Sequence, residues 1–123
     1  MGSLNRVVLI GRLGRAPELR YTPDGQAVAT LSLATDRPAR PGADAEPDWH
    51  RVVLWGALAE TAMQHLDKGR LVCVSGRLTY RRWEKDGQPH RTAEVVAAEL
   101  VLLDRRPDAG SDRSPGDVET SAA

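Results

Sequence analysis

The sequence predicts an all-β fold: a five-stranded Greek-key barrel with one short helix between strands three and four, followed by a disordered acidic tail. Three observations lead there. Five stretches rich in β-branched and aliphatic residues are separated by Gly, Pro and Asp. A single stretch, residues 57–66, carries its apolar residues at helical spacing. Composition then changes at Arg106, beyond which Val118 is the one large aliphatic residue.

Residues 4–13 form the first expected strand, where Val7, Val8, Leu9 and Ile10 run without interruption and Gly11 and Gly14 close the stretch. Ala16-Pro17 opens a short connection, and Pro23-Asp24-Gly25 is a turn whose glycine can take a positive φ. Residues 26–35 alternate, with Val28, Thr30, Ser32 and Ala34 on one face and Ala29, Leu31 and Leu33 on the other. These first two strands, joined through Gly25, are expected to pair antiparallel. Residues 36–47 hold three prolines and no large apolar residue, which predicts a long mobile loop.

The third strand, residues 48–55, places Trp49, Arg51, Val53 and Trp55 on one face and His50, Val52 and Leu54 on the other. Leu58, Ala62 and Leu66 then mark the helix, with Gly69 as its expected stop. Residues 70–79 form the fourth strand, Leu71, Cys73 and Ser75 opposing Val72, Val74 and Gly76. Tyr80-Arg81-Arg82-Trp83 continues it, and Glu84-Lys85-Asp86-Gly87-Gln88 is a hairpin tip. Residues 91–103 form the last strand, with Val95, Val96, Leu100, Val101 and Leu103 available for burial.

Several function classes are excluded. One cysteine rules out an internal disulfide framework and a multi-cysteine zinc site, and it fits a reducing, cytoplasmic setting. Cys73, in an apolar strand, reads as an inert buried thiol. No apolar run approaches the roughly 20 residues of a membrane span, and the apolar stretch near the N-terminus is too short for a signal peptide. Nothing places His50, His65 or His90 beside Cys73 or a serine in a triad-like order, and acidic residues are scattered singly. Gly11-Arg12-Leu13-Gly14 lacks the lysine of a phosphate loop. No enzyme, cofactor or metal site is expected.

The 17 basic and 17 acidic groups cancel, but not evenly along the chain. Residues 1–106 carry 16 Lys and Arg against 13 Asp and Glu, whereas residues 107–123 set Arg113 against Asp108, Asp112, Asp117 and Glu119. The domain reading is therefore a binding domain over 1–106 and a disordered acidic tail over 107–123. The basic groups are 15 Arg and 2 Lys. Arginine suits stacking and bidentate phosphate contact, though a G- and C-rich codon bias produces the same excess of Arg, Ala, Gly and Pro.

The aromatics are more selective. Of five, three are Trp, two Tyr and none Phe. Trp49 and Trp55 share a strand face with Arg51, and Trp83 follows Arg81 and Arg82. An isolated Trp is more often core than site. Three interleaved with arginine instead supply flat π surfaces for unpaired bases and cations for the phosphates between them.

The segments Leu4-Asn5-Arg6-Val7-Val8-Leu9-Ile10-Gly11-Arg12-Leu13-Gly14, Pro17-Glu18-Leu19-Arg20-Tyr21, Ala34-Thr35, Asp48-Trp49-His50-Arg51-Val52-Val53-Leu54-Trp55-Gly56, Lys68-Gly69, Gly76-Arg77-Leu78 and Arg81-Arg82-Trp83 resemble the bacterial single-stranded DNA-binding proteins. The likeness runs in order from about residue 4 to 103. It implies the OB fold and sequence-independent binding and protection of single-stranded DNA in replication, recombination or repair. It also implies a homotetramer, a nucleoid-associated location, and base stacking on Trp49, Trp55 and Trp83. Arg51, Arg81, Arg82, Arg12, Arg20 and Lys68 are the matching cations, with Tyr80 and Lys85 beside Trp83. Many members carry a further tryptophan where this chain has Arg37 and Arg40, which are read as its replacements. The Pro-Phe-closed acidic tip of main members is missing from Thr120-Ser121-Ala122-Ala123. A paralogue or accessory form is therefore expected, without the usual recruitment of replication and repair enzymes. Apolar Val7, Leu9, Val72 and Val74, read as more than one small core covers, motivate the tetramer. The rival reading is a primosome-type accessory barrel working mainly through protein contacts; a single-stranded RNA or cold-shock-like role comes third.

Overall fold

The computed structural model describes residues 2–38 and 46–104. Its elements are β1 (Val7–Leu13), β2 (Glu18–Tyr21), β3 (Ala27–Asp36), β4 (Pro47–Trp55), α1 (Ala57–His65), β5 (Leu71–Lys85) and β6 (Gln88–Leu102). The strands form one sheet in the order β1-β5-β6-β4-β3-β2. A β1–β3 pairing, Arg12 opposite Ala34 and Leu13 opposite Leu33, curls it back into a closed barrel. All pairings are antiparallel except β4 with β6, where Val52 faces Val95.

Closure follows from side-chain alternation. Ala29, Leu31 and Leu33 of β3 point inward with Val52 and Leu54 of β4, Val72 and Val74 of β5, and Leu100 of β6. None is more than 1% exposed, and each such Leu contributes about 1.5–3 kcal/mol of burial. Where β5 shifts register at Ser75/Gly76, a Cβ on Gly76 would run into the Val96 carbonyl, so only glycine permits that close approach. Ala59, Ala62 and Leu66 cap the core from α1 and the residue that follows it.

The outer halves of β5 and β6 leave the barrel as a two-stranded arm. Asp86 (φ 53°) and Gly87 (φ 76°) close it with a two-residue left-handed turn, which matches the right-handed strand twist. That turn sets the register Trp83 opposite His90 and Arg81 opposite Thr92.

The five expected strands and the helix are all present, with differences. The connection after Pro17 contains β2, so the Gly25 turn joins β2 to β3 rather than β1 to β3. The helix stops at Leu66, whose backbone is extended (φ −106°, ψ 138°); Gly69 belongs to the turn beyond. The residues that motivated the tetramer also face the wrong way: Val72 and Val74 are fully buried and Val7 and Leu9 pack on the same core. It is Val8 and Ile10 that point outward. Cys73, opposite Ile10, is half-buried rather than buried. The middle of the 36–47 loop and the 107–123 tail lie outside the described residues.

Buried Arg70 fastens the barrel's end. Its Nε donates to Asp104 Oδ1 (2.9 Å), while its two terminal nitrogens reach the His65 carbonyl (3.1 Å) and the Asp104 carbonyl (3.0 Å). Asp104 Oδ2 accepts from the Leu71 backbone N–H (3.1 Å). The end of the helix and the segment after β6 are thus held by one guanidinium.

Candidate nucleic-acid interface

All three tryptophans are exposed: Trp49 59%, Trp55 42% and Trp83 39%. None belongs to the core. On β4, period-2 alternation puts Trp49, Arg51, Val53 and Trp55 outside while Val52 and Leu54 point in. His50, on the inner side, hydrogen-bonds the Thr35 hydroxyl through Nε2 (2.8 Å).

The first groove lies between the outer face of β2-β3-β4 and the arm. Val28, Thr30 and Val53 form its buried floor, and Arg20, Tyr21, Arg51, Trp55, Arg81 and Glu94 form its walls. Glu94 is a groove residue that the sequence pattern does not point to. Its Oε2 accepts from Arg51 Nε at 2.5 Å and lies 3.4 Å from Arg81 Nε. The carboxylate is 10% exposed, so two cations balance one nearly buried anion. Arg20 carries no ion pair among the described residues and is the groove's unengaged cation.

A second depression gathers Arg12, Arg37, Trp49 and Lys68 around Gly14. A Cβ on Gly14 would collide with the Trp49 ring, so the glycine lets the indole lie across the end of β1. Arg12 is tied to the Gly69 carbonyl (3.0 Å) and Asp104 (3.2 Å). Arg37 bonds Glu46 and Asp48, both at 3.2 Å, and so draws the two ends of the long loop together. Arg40 lies outside the described residues.

A third depression at the arm's tip is lined by Arg82, Trp83, Glu84, Pro89, His90 and Arg91. Along the arm, Arg81, Trp83 and Lys85 share a face with His90, Thr92 and Glu94; Tyr80 and Arg82 share the opposite one with Arg91. Arg91 sits 4.4 Å from the centroid of the Tyr80 ring, as that pairing of faces requires. Arg82 and Trp83, neighbours in sequence, therefore point to opposite faces of the arm, and Trp83 lies on the face of Arg81, which lines the first groove.

Tyr21, 61% exposed, is a groove aromatic outside the set expected from the sequence. Its position directly after Arg20 was the available signal. Glu94 had none, because its partner Arg51 is 43 residues away and meets it only through the β4–β6 pairing.

A small closed barrel whose outer face carries exposed aromatics among arginines is the layout of an OB-type oligonucleotide-binding domain. The model of the Single-strand binding protein family matches residues 4–103. A Single-stranded DNA-binding protein of Thermotoga maritima is 46% identical over 111 residues, 87% of this chain and 79% of that protein. Among solved structures, a chain from the Plasmodium falciparum SSB complex with ssDNA superposes with a TM-score of 0.77 at 35% identity, over 85% of this chain and 98% of that one. The chain belongs to the Single-strand binding protein family.

Proposed function

We propose that the chain binds and protects single-stranded DNA without sequence preference, stacking bases on Trp49, Trp55 and Trp83 while the surrounding cations meet the phosphates. The single observation that carries this is the exposure of every tryptophan on the outer surface of a chain that has no Phe to spare for its core. Large indoles left in water cost free energy unless a partner covers them, and a base does so whatever its identity. Membership of the family supports the reading, as do the relative named for single-stranded DNA binding and the neighbour solved with ssDNA. Arg20 and Lys68 are phosphate contacts available without rearrangement, and Arg81 and Lys85 extend the track along the Trp83 face of the arm, with Arg82 a cation on its opposite face. Arg51 acts chiefly through Glu94.

The same reading includes a homotetramer, resting on Val8 (55% exposed) and Ile10 (57% exposed) on the outer face of β1. It also includes a non-enzymatic role in replication, recombination or repair, in a cytoplasmic, nucleoid-associated setting. Among the described residues no helix is long and apolar enough to cross a membrane.

Titration with oligo(dT), followed by tryptophan fluorescence, tests the binding. Strong quenching is expected, with duplex DNA of equal length binding much more weakly because its bases are already stacked. Unchanged fluorescence together with no affinity would favour the protein-contact barrel. Light scattering at micromolar concentration tests assembly: a tetramer is expected, and a monomer contradicts it.

A further inference from the structure

The indole of Trp83 is not a free rotor at the end of the arm. His90, directly opposite on β6, stacks on it with ring centroids 4.5 Å apart and planes 18° apart. On the same arm face, Thr92 Oγ1 accepts the indole Nε1–H at 2.8 Å. One ring face and the N–H edge are therefore occupied by protein. The residue is nonetheless 39% exposed, and the ring surface that these contacts leave uncovered is the face turned away from His90 and the far edge.

We propose that His90 is a positioning residue of the single-strand interface: it backs Trp83 so that the outward indole face is presented ready for a base. This rests on the stacking role given to Trp83 under the function proposed above. The physical reason is preorganisation. An exposed tryptophan on a two-stranded arm samples several χ1 and χ2 wells and must lose that freedom when a base stacks on it. A parallel ring behind it and a hydrogen bond at its edge restrict both torsions before DNA arrives. Binding a base then completes a three-ring stack of base, indole and imidazole. The Asp86-Gly87 turn makes this possible, because a two-residue loop fixes the Trp83–His90 register that a longer one would leave free. His90 needs no contact with DNA in this scheme.

The experiment uses the full chain, oligo(dT) and the variants His90→Ala, His90→Phe and Trp83→Ala. Affinity is measured at several salt concentrations, with thermal melting alongside. Aromatic pairs of this kind stabilise by an amount equivalent to about 2- to 10-fold in an equilibrium constant, and that is the expected weakening for His90→Ala. The salt slope stays at the wild-type value, since no phosphate contact is lost. His90→Phe, which keeps a flat ring behind the indole, restores most of the affinity, a rescue that an imidazole hydrogen-bonded or ion-paired to DNA would not show.

Tighter binding by His90→Ala overturns the proposal, because it would mean that the imidazole occupies a face a base wants. Wild-type binding by His90→Ala, or a loss shared equally by His90→Phe, also overturns it. A loss with a flattened salt slope does so too, by making His90 a charge contact. If Trp83→Ala binds as wild type while oligo(dT) still quenches the protein, this inference fails and single-strand binding stands, with Trp83 removed from the stacking set. If the wild-type chain does not bind oligo(dT), both fail.

Discussion

Replacing Glu94 by Gln should move stability and DNA affinity in opposite directions. In the folded protein the Glu94 carboxylate holds Arg51 at 2.5 Å and Arg81 at 3.4 Å, and its side chain is only 10% exposed. An amide keeps the shape and one acceptor oxygen but removes the charge. The lost charge assistance should destabilise the barrel by about 1–3 kcal/mol, measured by urea or thermal unfolding. The groove simultaneously loses an anion that opposes phosphate, and the Arg51 guanidinium, held at 2.5 Å in the wild type, becomes available to the backbone of a single strand beside the more exposed Arg81. Each new phosphate–arginine pair steepens the plot of log K against log[salt] by about 0.7. Between 50 and 200 mM salt that extra slope lowers the variant's affinity relative to wild type by about 2.6-fold per pair. At low salt the variant should therefore bind oligo(dT) more tightly than wild type, with the advantage shrinking as salt rises. Weaker binding with an unchanged slope would refute this reasoning. It would mean that Glu94 holds the two arginines where DNA needs them and that its charge does not compete.

Gly14→Ala should push the Trp49 ring off the end of β1 and weaken oligo(dT) binding by up to the about 1–3 kcal/mol of a stacked base, with a shift in tryptophan emission before DNA is added; unchanged emission and affinity would show that the ring moves aside without consequence. Arg70→Ala breaks the contacts to Asp104 and the His65 carbonyl and should cost about 2–3 kcal/mol in thermal unfolding, while oligo(dT) affinity at a temperature where the variant is folded stays at wild type. Deleting residues 107–123 should leave the melting temperature and the oligomeric state unaltered and hold or slightly raise DNA affinity, since the segment carries a net of three negative charges; a tenfold loss of affinity would contradict it.

The barrel was legible where strands alternate. Ala29, Leu31 and Leu33 against Thr30 and Ser32 fix one inward face of β3, and β4 repeats the pattern with Val52 and Leu54 against Trp49 and Arg51. It was not legible where both faces are apolar. Val7, Val8, Leu9 and Ile10 carry no period, so nothing in the run says that Val7 and Leu9 point in and Val8 and Ile10 point out. β2 escaped notice because four residues with only Leu19 half-buried, close to prolines on either side, give no periodicity to read. At the candidate interface, the exposure of the tryptophans was legible from their type and their arginine neighbours. Their supports were not. Glu94 meets Arg51 across the sheet, Gly14 matters only once Trp49 lies on it, and a buried arginine such as Arg70 looks the same in sequence as an exposed one. Arg82 shows how sequence adjacency misleads about position: next to Trp83 in the chain, it lies on the other face of the arm because strand neighbours alternate.

The central claim is that the tryptophans stack on bases and the arginines meet phosphates, and one measurement separates the two most directly. Log K for oligo(dT) against log[salt] is compared for wild type, Trp49→Ala, Trp55→Ala, Trp83→Ala, Arg20→Ala and Arg81→Ala. Stacking releases no counterions, so each Trp variant should lie about 1–3 kcal/mol below wild type on a parallel line. Each Arg variant that loses a phosphate contact should instead be flatter by about 0.7 in slope. Trp variants that bind like wild type, or whose lines flatten as the Arg lines do, would contradict the account.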